Sequence, residues 1–374
     1  MQHNYPFQVS EKILALSDQI HTVATQPWTI MDVCANQTQS IMKYGIQQLL
    51  PTYIKLVHGP GCPLSVTPHS SIDEAIAIAQ KPHVILCTFP DTLRINGTRS
   101  HLLMARFEGA DIRTLYSPLD ALKIANDNPD KEIVFFSVGY ETIAPALGLA
   151  IKLASQKPIK NFSVLLTQLL IPAAIEAVLR DNDTQFQGLL TAGHICSVMG
   201  YRHFESIAKR YQLPIVISDA DPVAILTAIL TCIEQCEAQE YKVINQYPPC
   251  SNENGNRLAQ QAMDEIFEIS DQQWRGIGHL PQSAMRINID FQRFDARKKF
   301  DIRVKIYNIK TICRGGDVVK GKCKPTDCCA FANKCTPETP LGPTMISSRG
   351  TCAVYYHYQN DDYKPLKLIF SHNK

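Results

Sequence analysis

The feature that most limits how this chain can fold is an alternation. Between residues 28 and 220, short apolar runs are separated by stretches with helical periodicity. The runs read W-T-I-M-D-V, Y-I-K-L-V, H-V-I-L-C-T-F, D-I-R-T-L-Y-S, E-I-V-F-F-S-V, F-S-V-L-L-T, G-L-L-T-A-G-H and P-I-V-I-S-D-A. Each is too short for a helix and rich in β-branched and aromatic residues, so each reads as a buried strand. The intervening segments S-I-M-K-Y-G-I-Q-Q-L-L, 70–80, 99–109, 119–126, 144–156, 172–182 and 222–238 read as helices, as does 10–22. Strands alternating with helices imply parallel sheets covered on both faces. The expected class is therefore α/β, with two doubly wound parallel-sheet domains. The expected boundaries are 1–125, carrying Cys34 and Cys62, then 126–240. A mixed C-terminal domain follows over 241–374, with a helix at 256–268, a mixed stretch at 270–300, and a cysteine-rich close.

That close runs from Cys313 to Cys352. Cys313, Cys328, Cys335 and Cys352 are spaced C-x14-C-x6-C-x16-C, with Cys323 and Cys329 between them. The surrounding Gly and Pro make the segment mostly turns, which bury little apolar surface. Disulfides or a metal usually supply the missing stability. Compartment decides between them. The N-terminus M-Q-H-N-Y-P-F-Q-V-S-E-K lacks the pattern of a signal peptide, and no apolar run approaches the ~18 residues of a spanning helix. A cytoplasmic location without membrane association is expected. Thiols stay reduced there, so the cluster reads as a metal site. Zinc and an iron–sulfur cluster both accept four thiolates, and the absence of two close C-x2–4-C pairs leans towards iron–sulfur. Lys plus Arg total 37 against 35 Asp plus Glu, which argues against a nucleic-acid surface.

In open parallel sheets, ligands bind at the carboxyl ends of strands. Cys34, Cys62, Asp91, Glu141 and His194 all follow expected strands. A cysteine between a strand and a helix meets that helix's amides, which favour thiolate. The plainer alternatives stand beside this. A single Cys is most often a small buried hydrophobe, H-G-P-G can be only a tight turn, and Glu141 or His194 can be a cap or a satisfied core group. Cys196, Cys232, Cys236 and Cys250 read as core or incidental thiols, and no Gly-rich phosphate loop is present.

With H-G-P-G-C-P, G-Y-E-T, T-A-G-H and the cysteine tail in view, the chain resembles the hydrogenase maturation protein HypD family. The resemblance covers nearly the whole length. It includes M-D-V-C, L-P-T-Y-I-K-L-V-H-G-P-G-C-P, T-F-P-D, G-A-D-I-R-T-L-Y-S-P-L-D-A-L-K-I-A, W-R-G-I-G, F-D-A-R-K-K-F, G-K-C-K-P-T-D-C and S-S-R-G-T-C. It implies two α/β domains and a third bearing a [4Fe–4S] cluster on Cys313, Cys328, Cys335 and Cys352. It implies an assembly scaffold more than a turnover enzyme. Such a scaffold holds an iron ion at Cys34, with Cys62 beside it, while cyanide and carbon monoxide are attached. Cys62, Asp91, Glu141 and His194 are then the expected reaction-bearing positions. The implied partners are a HypC-type chaperone, a HypE-type cyano-group donor and, indirectly, a [NiFe]-hydrogenase large subunit.

The chain also departs from the family pattern. C-G-G-H-T has become C-A-N-Q-T, with Gln37 in place of the histidine, and Ser65 replaces the second Cys of G-P-G-C-P-V-C. Gly315 and T-F-P-D mark two further changes. A divergent paralogue that binds a cluster and partners without making the cofactor is the alternative. Cys87 would replace the missing thiol only if its strand neighboured that of Cys62.

Overall fold

The computed structural model describes residues 5–181, 183, 185–247, 252–304 and 311–359. Cys250 lies outside them. Eleven strands are present among the described residues. They are β1 (Thr29–Asp32), β2 (Lys55–His58), β3 (Val84–Thr88), β4 (Asp111–Thr114), β5 (Glu132–Gly139), β6 (Phe162–Leu169), β7 (Gly188–Ala192), β8 (Ile215–Ser218), β9 (Val243–Asn245), β10 (Phe267–Trp274) and β11 (Gly278–Ile287). They form two sheets, ordered β2-β1-β7-β8-β9 and β10-β11-β6-β5-β3-β4.

The fold class is α/β with two doubly wound sheets, as the alternation predicts. The first sheet is wholly parallel. The second is parallel from β4 through β6 and gains the antiparallel pair β11 and β10 at one edge. That hairpin occupies much of the region expected to be mixed. Its strands, F-E-I-S-D-Q-Q-W and G-H-L-P-Q-S-A-M-R-I, are interrupted by polar residues, so they lack the continuous apolar run of the buried parallel strands.

The chain divides into two compact units, whose boundaries differ from the expected ones. One unit comprises Met1–Cys62, Ile175–Gly255 and Cys313–Lys374; the other comprises Pro63–Ala174 and Asn256–Ile312. Residue 125 falls inside the helix Pro118–Asp127, and the cysteine segment belongs to the first unit instead of forming a separate domain. Periodicity identifies elements in chain order but says nothing about which strands pair. Here the chain completes β1 and β2, builds most of another sheet, and then returns to add β7 beside β1.

The first unit's core packs Ile13 and Ile20 of the helix Tyr5–Val23 and Ile225, Ile229 and Ile233 of the helix Pro222–Ala238 against Ile30, Leu56, Leu190 and Val216 of the sheet. Cys232 and Cys236 lie on the buried side of that last helix as small apolar fillers. The expected helix after Cys34 is broken. It runs Ala35–Lys43, stops at Gly45 (φ 61°), and resumes over Ile46–Leu49.

Candidate functional site at the first unit's strand ends

In the first sheet, order β2-β1-β7-β8-β9 places the reversal of winding between β1 and β7. The crevice outside the carboxyl ends at such a reversal is where doubly wound sheets bind ligands. β1 leads into Cys34, the N-cap of Ala35–Lys43, and β7 leads into Gly193 and His194 at the start of the helix Gly193–Met199. A cavity of about 20 Å³ lies there, lined by Cys34, Asn36, Gly193, His194, Asp219 and Tyr247. That is room for one water-sized molecule.

Cys62 reaches the same end of the sheet from β2. Gly61 makes this approach possible, since a Cβ there would lie 2.7 Å from the backbone nitrogens of Cys34 and Ala35. The Ala35 N–H donates to the Gly61 carbonyl at 3.4 Å. Both thiols are buried. Burial pushes Cys34 up to about 11, and Asp32 and Asp219 add to the rise, while the backbone N–H groups of Gln37 and Asn36 oppose it. The helix amides thus act in the expected direction but lose to desolvation, so the metal-free thiol keeps its proton at neutral pH. His194 is exposed at the rim. The cleft walls still desolvate its ring enough to lower its pKa from 6.5, with Asp219 opposing and Arg349 adding to the fall.

Gln37 is fully buried, and its side-chain amide is spent on the ends of β7 and β8. Its Nε2 donates to Ser218 Oγ at 3.0 Å and lies 3.3 Å from the Thr191 and Ser218 carbonyl oxygens. Its Oε1 has no hydrogen-bond partner among the described residues. Ser65, in the short helix Pro63–Val66 of the second unit, is likewise buried with an unpartnered Oγ.

The cysteine segment packs over this end of the first sheet. Ser347 Oγ lies 3.5 Å from Cys62 Sγ. Tyr355 OH lies 2.9 Å from His58 Nε2, and Arg349 Nη1 donates to Asn36 Oδ1 at 3.4 Å. Gly321, at φ 72°, rests on β1 and β2. A Cβ there would come within 2.5 Å of Met31 Cε and 3.2 Å of Val57 Cγ2.

Three of the four spaced cysteines already receive hydrogen bonds at sulfur. Gly315 N–H donates to Cys313 and Leu341 N–H to Cys335, each at 3.3 Å, and Thr344 Oγ1 donates to Cys352 at 3.2 Å. Gly342 leaves the space beside Cys313 open, since a Cβ would lie 2.3 Å from that sulfur. Burial pushes Cys352 up to about 12, and Cys313, Cys335 and Cys328 raise it further through their own charge. Donors to sulfur favour the ionised thiol, and four cysteines gathered in one segment are a soft donor set of the kind that zinc and iron–sulfur clusters use. Among the described residues, no group of three or more His, Cys, Asp or Glu side chains is set to hold a single metal ion.

Asp91 and Glu141 belong to the second unit. Its sheet reverses winding between β3 and β5, and both residues follow those strands. Asp91 is exposed in the turn Pro90–Thr92. Glu141 is buried, and its Oε1 accepts the Ile171 N–H at 2.9 Å. Its Oε2 has no partner among the described residues, and burial pushes the carboxyl up to about 7. Cys87 does not meet the strand-neighbour condition for a replacement thiol. Its strand β3 pairs with β4 and β5, whereas β2, which leads to Cys62, pairs with β1.

Three residues of the first unit's site were not anticipated: Asp32, His58 and Tyr355. The available signal was their place within M-D-V-C, H-G-P-G and the segment just beyond Cys352.

The fold and site together define a doubly wound α/β protein with paired strand-end thiols beneath a four-cysteine segment. The model of the family described as "HypD: Hydrogenase formation hypA family" matches residues 11–359. "Hydrogenase maturation factor HypD2" of Bradyrhizobium diazoefficiens is 36% identical over 368 residues, spanning 96% of this chain and 97% of that protein. "Hydrogenase maturation factor HypD" of Rhodobacter capsulatus is 38% identical over 353 residues, 93% of each chain. Its namesake in Escherichia coli is 36% identical over 356 residues, 95% of each. The chain belongs to the HypD family of hydrogenase maturation factors.

Proposed function

We propose that this protein is an iron–sulfur scaffold on which the Fe(CN)2CO unit of [NiFe]-hydrogenase is assembled in the cytoplasm. Cys34 and Cys62 hold the iron cargo, and Cys313, Cys328, Cys335 and Cys352 hold a [4Fe–4S] cluster. The observation that carries this reading is the packing of the four-cysteine segment over the strand ends, with Ser347 against Cys62. A bound cluster supplies one-electron chemistry beside the iron site. The chain's own residues do the rest. Soft thiolates suit low-spin iron, and the cargo's positive charge favours the Cys34 thiolate that burial disfavours. His194, kept neutral by its cleft, is placed to accept a proton at the rim of the small cavity. In the second unit, Glu141 can exchange a proton near neutral pH. The partners are a HypC-type chaperone and a HypE-type cyano-group donor, with the hydrogenase large subunit receiving the finished unit.

Infrared spectra of the protein purified with its maturation partners test the proposal. Bands in the cyanide and carbon monoxide stretching region are expected, and they should disappear in Cys34→Ala. Their absence from the intact complex overturns the assembly role. A second reading is favoured by one observation: Gln37 spends its side-chain amide on Ser218, so it supplies no side-chain ligand or proton carrier in place of an imidazole. In that reading the protein is a paralogue that binds a cluster and the partners without building the cofactor. It predicts a partner complex that is stable but silent in the infrared.

A further inference from the structure

We propose that the buried chain Asp32–His58–Tyr355 is a positioning device that sets the accessibility of the Cys62 thiol. Asp32 and His58 are the last residues of β1 and β2 and stand opposite each other in register. The Asp32 carboxylate accepts from Thr38 Oγ1 at 2.6 Å through Oδ1 and from His58 Nδ1 through Oδ2. A carboxylate acceptor places the imidazole proton on Nδ1, which leaves Nε2 to accept the Tyr355 hydroxyl at 2.9 Å. Relative exposures are 2% for Asp32, 3% for His58 and 5% for Tyr355, so water does not compete for these bonds. The histidine and tyrosine rings also meet edge to face, with centroids 5.4 Å apart.

The placement of the three residues gives the chain its purpose. Asp32 lies two residues before Cys34, His58 lies four before Cys62, and Tyr355 lies three after Cys352. Tyr355 belongs to the helix Thr351–Tyr358, which is preceded by the turn that holds Ser347 over Cys62. Pinning that helix to the strand ends through His58 holds Ser347 in place. Loss of the pin frees the turn and opens the path to the Cys62 sulfur. Burial alone asks for a partner at each ring nitrogen; it does not ask that one of them come from the cysteine segment 297 residues away. The inference rests on the proposed function only for the meaning of Cys62 as a cargo ligand. The geometry does not depend on a bound cluster.

The experiment measures iodoacetamide alkylation of individual cysteines by peptide mass spectrometry. It uses anaerobically prepared full-length protein produced without other maturation proteins. The variants are Tyr355→Phe, His58→Leu and His58→Gln, and Cys87 and Cys232 serve as buried references. Tyr355→Phe removes one oxygen and keeps the ring. It should raise Cys62 alkylation by about tenfold or more and leave both references unchanged, the local-opening pattern. His58→Leu should do the same. His58→Gln, whose amide can donate to Asp32 and accept from Tyr355, should return the rate to within about twofold of the unmodified protein. Unchanged Cys62 reactivity in Tyr355→Phe overturns the proposal. A parallel rise at Cys87 and Cys232 also overturns it, because that pattern reports general destabilisation. Iron and sulfide are assayed on the same samples. A protein without iron that still shows the local pattern would refute the cluster assignment and leave the positioning role standing.

Discussion

Replacing Glu141 with Gln tests the electrostatics of the second unit. The side chain is 1% exposed, and burial holds its carboxyl up to about 7 against an ordinary 4.5. The sign follows from linkage. Between pH 4.5 and 7 the unfolded chain releases this proton while the folded chain keeps it, so the unfolded state binds fewer protons and stability falls as pH rises. The contribution is fully present below 4.5 and lost above 7. At about 1.4 kcal/mol per pH unit, the window amounts to about 3 kcal/mol. Glutamine keeps the acceptor for the Ile171 N–H and carries no charge to bury. The stability of the variant relative to the parent should therefore rise by about 3 kcal/mol between pH 4 and pH 8.

Urea denaturation followed by tryptophan fluorescence provides the assay. The chain has two tryptophans. Trp274 is fully buried, stacks on Tyr140 at 6.2 Å and lies in the second unit beside the region in question. A Trp28→Phe background removes the signal of the first unit and lets Trp274 report alone. A difference between Glu141→Gln and its parent that stays constant from pH 5 to 8 would refute the argument. It would mean that the carboxyl titrates alike in folded and unfolded chains.

Three further outcomes are expected. Cys352→Ala should abolish the brown absorption of anaerobically purified protein and render the segment 313–358 sensitive to protease, since cluster binding supplies folding energy to a loop-rich chain; zinc in place of iron after anaerobic reconstitution would contradict the cluster assignment. Gly321→Val should cost about 2 kcal/mol in thermal unfolding, because it forces a branched residue to φ 72° and drives a Cβ into Met31. The unmodified chain should support hydrogen uptake poorly in a maturation-deficient strain, whereas Ser65→Cys should form a reducible bond with Cys62, seen as a mass change of two hydrogens, and Gln37→His should add to the rescue; full uptake from the unmodified chain would show that the second thiol is dispensable.

Parallel strands were legible in the sequence because burial on both faces leaves an unbroken apolar run, as in V-I-L-C-T and E-I-V-F-F-S-V. The hairpin of β10 and β11 was hidden because its strands carry polar runs such as S-D-Q-Q in place of an unbroken apolar one, and its register shifts between Ser270 and Gln272. Strand-end positions were legible for the same reason as the strands: whatever follows a buried run must emerge at a sheet edge. Burial itself was not. The amides at the start of Ala35–Lys43 promised a thiolate at Cys34, and only the packed structure shows desolvation exceeding them. His58 could be seen as part of a turn motif, but its partners lie 26 residues before it and 297 residues after it.

Those separations explain why the site depends on topology more than on any single motif. Cys34 and His194 share a cavity only because β7 pairs with β1, across the whole run of chain that builds β3 to β6. The cysteine segment reaches Cys62 only because the chain passes through β10 and β11 of the second sheet before returning to the first unit. The strand-end half and the cysteine half thus come from separate stretches of the sequence. A chain truncated before Cys313 keeps every strand of the first sheet yet leaves His58 Nε2 unpaired and uncovers Cys62 and the surfaces of Met31 and Val57. The contacts that cover Cys62 and those that cap His58 are therefore supplied by the same segment. Substitutions at Gly321, His58 or Tyr355 should accordingly weaken function through access to Cys62 before they unfold the sheet beneath it.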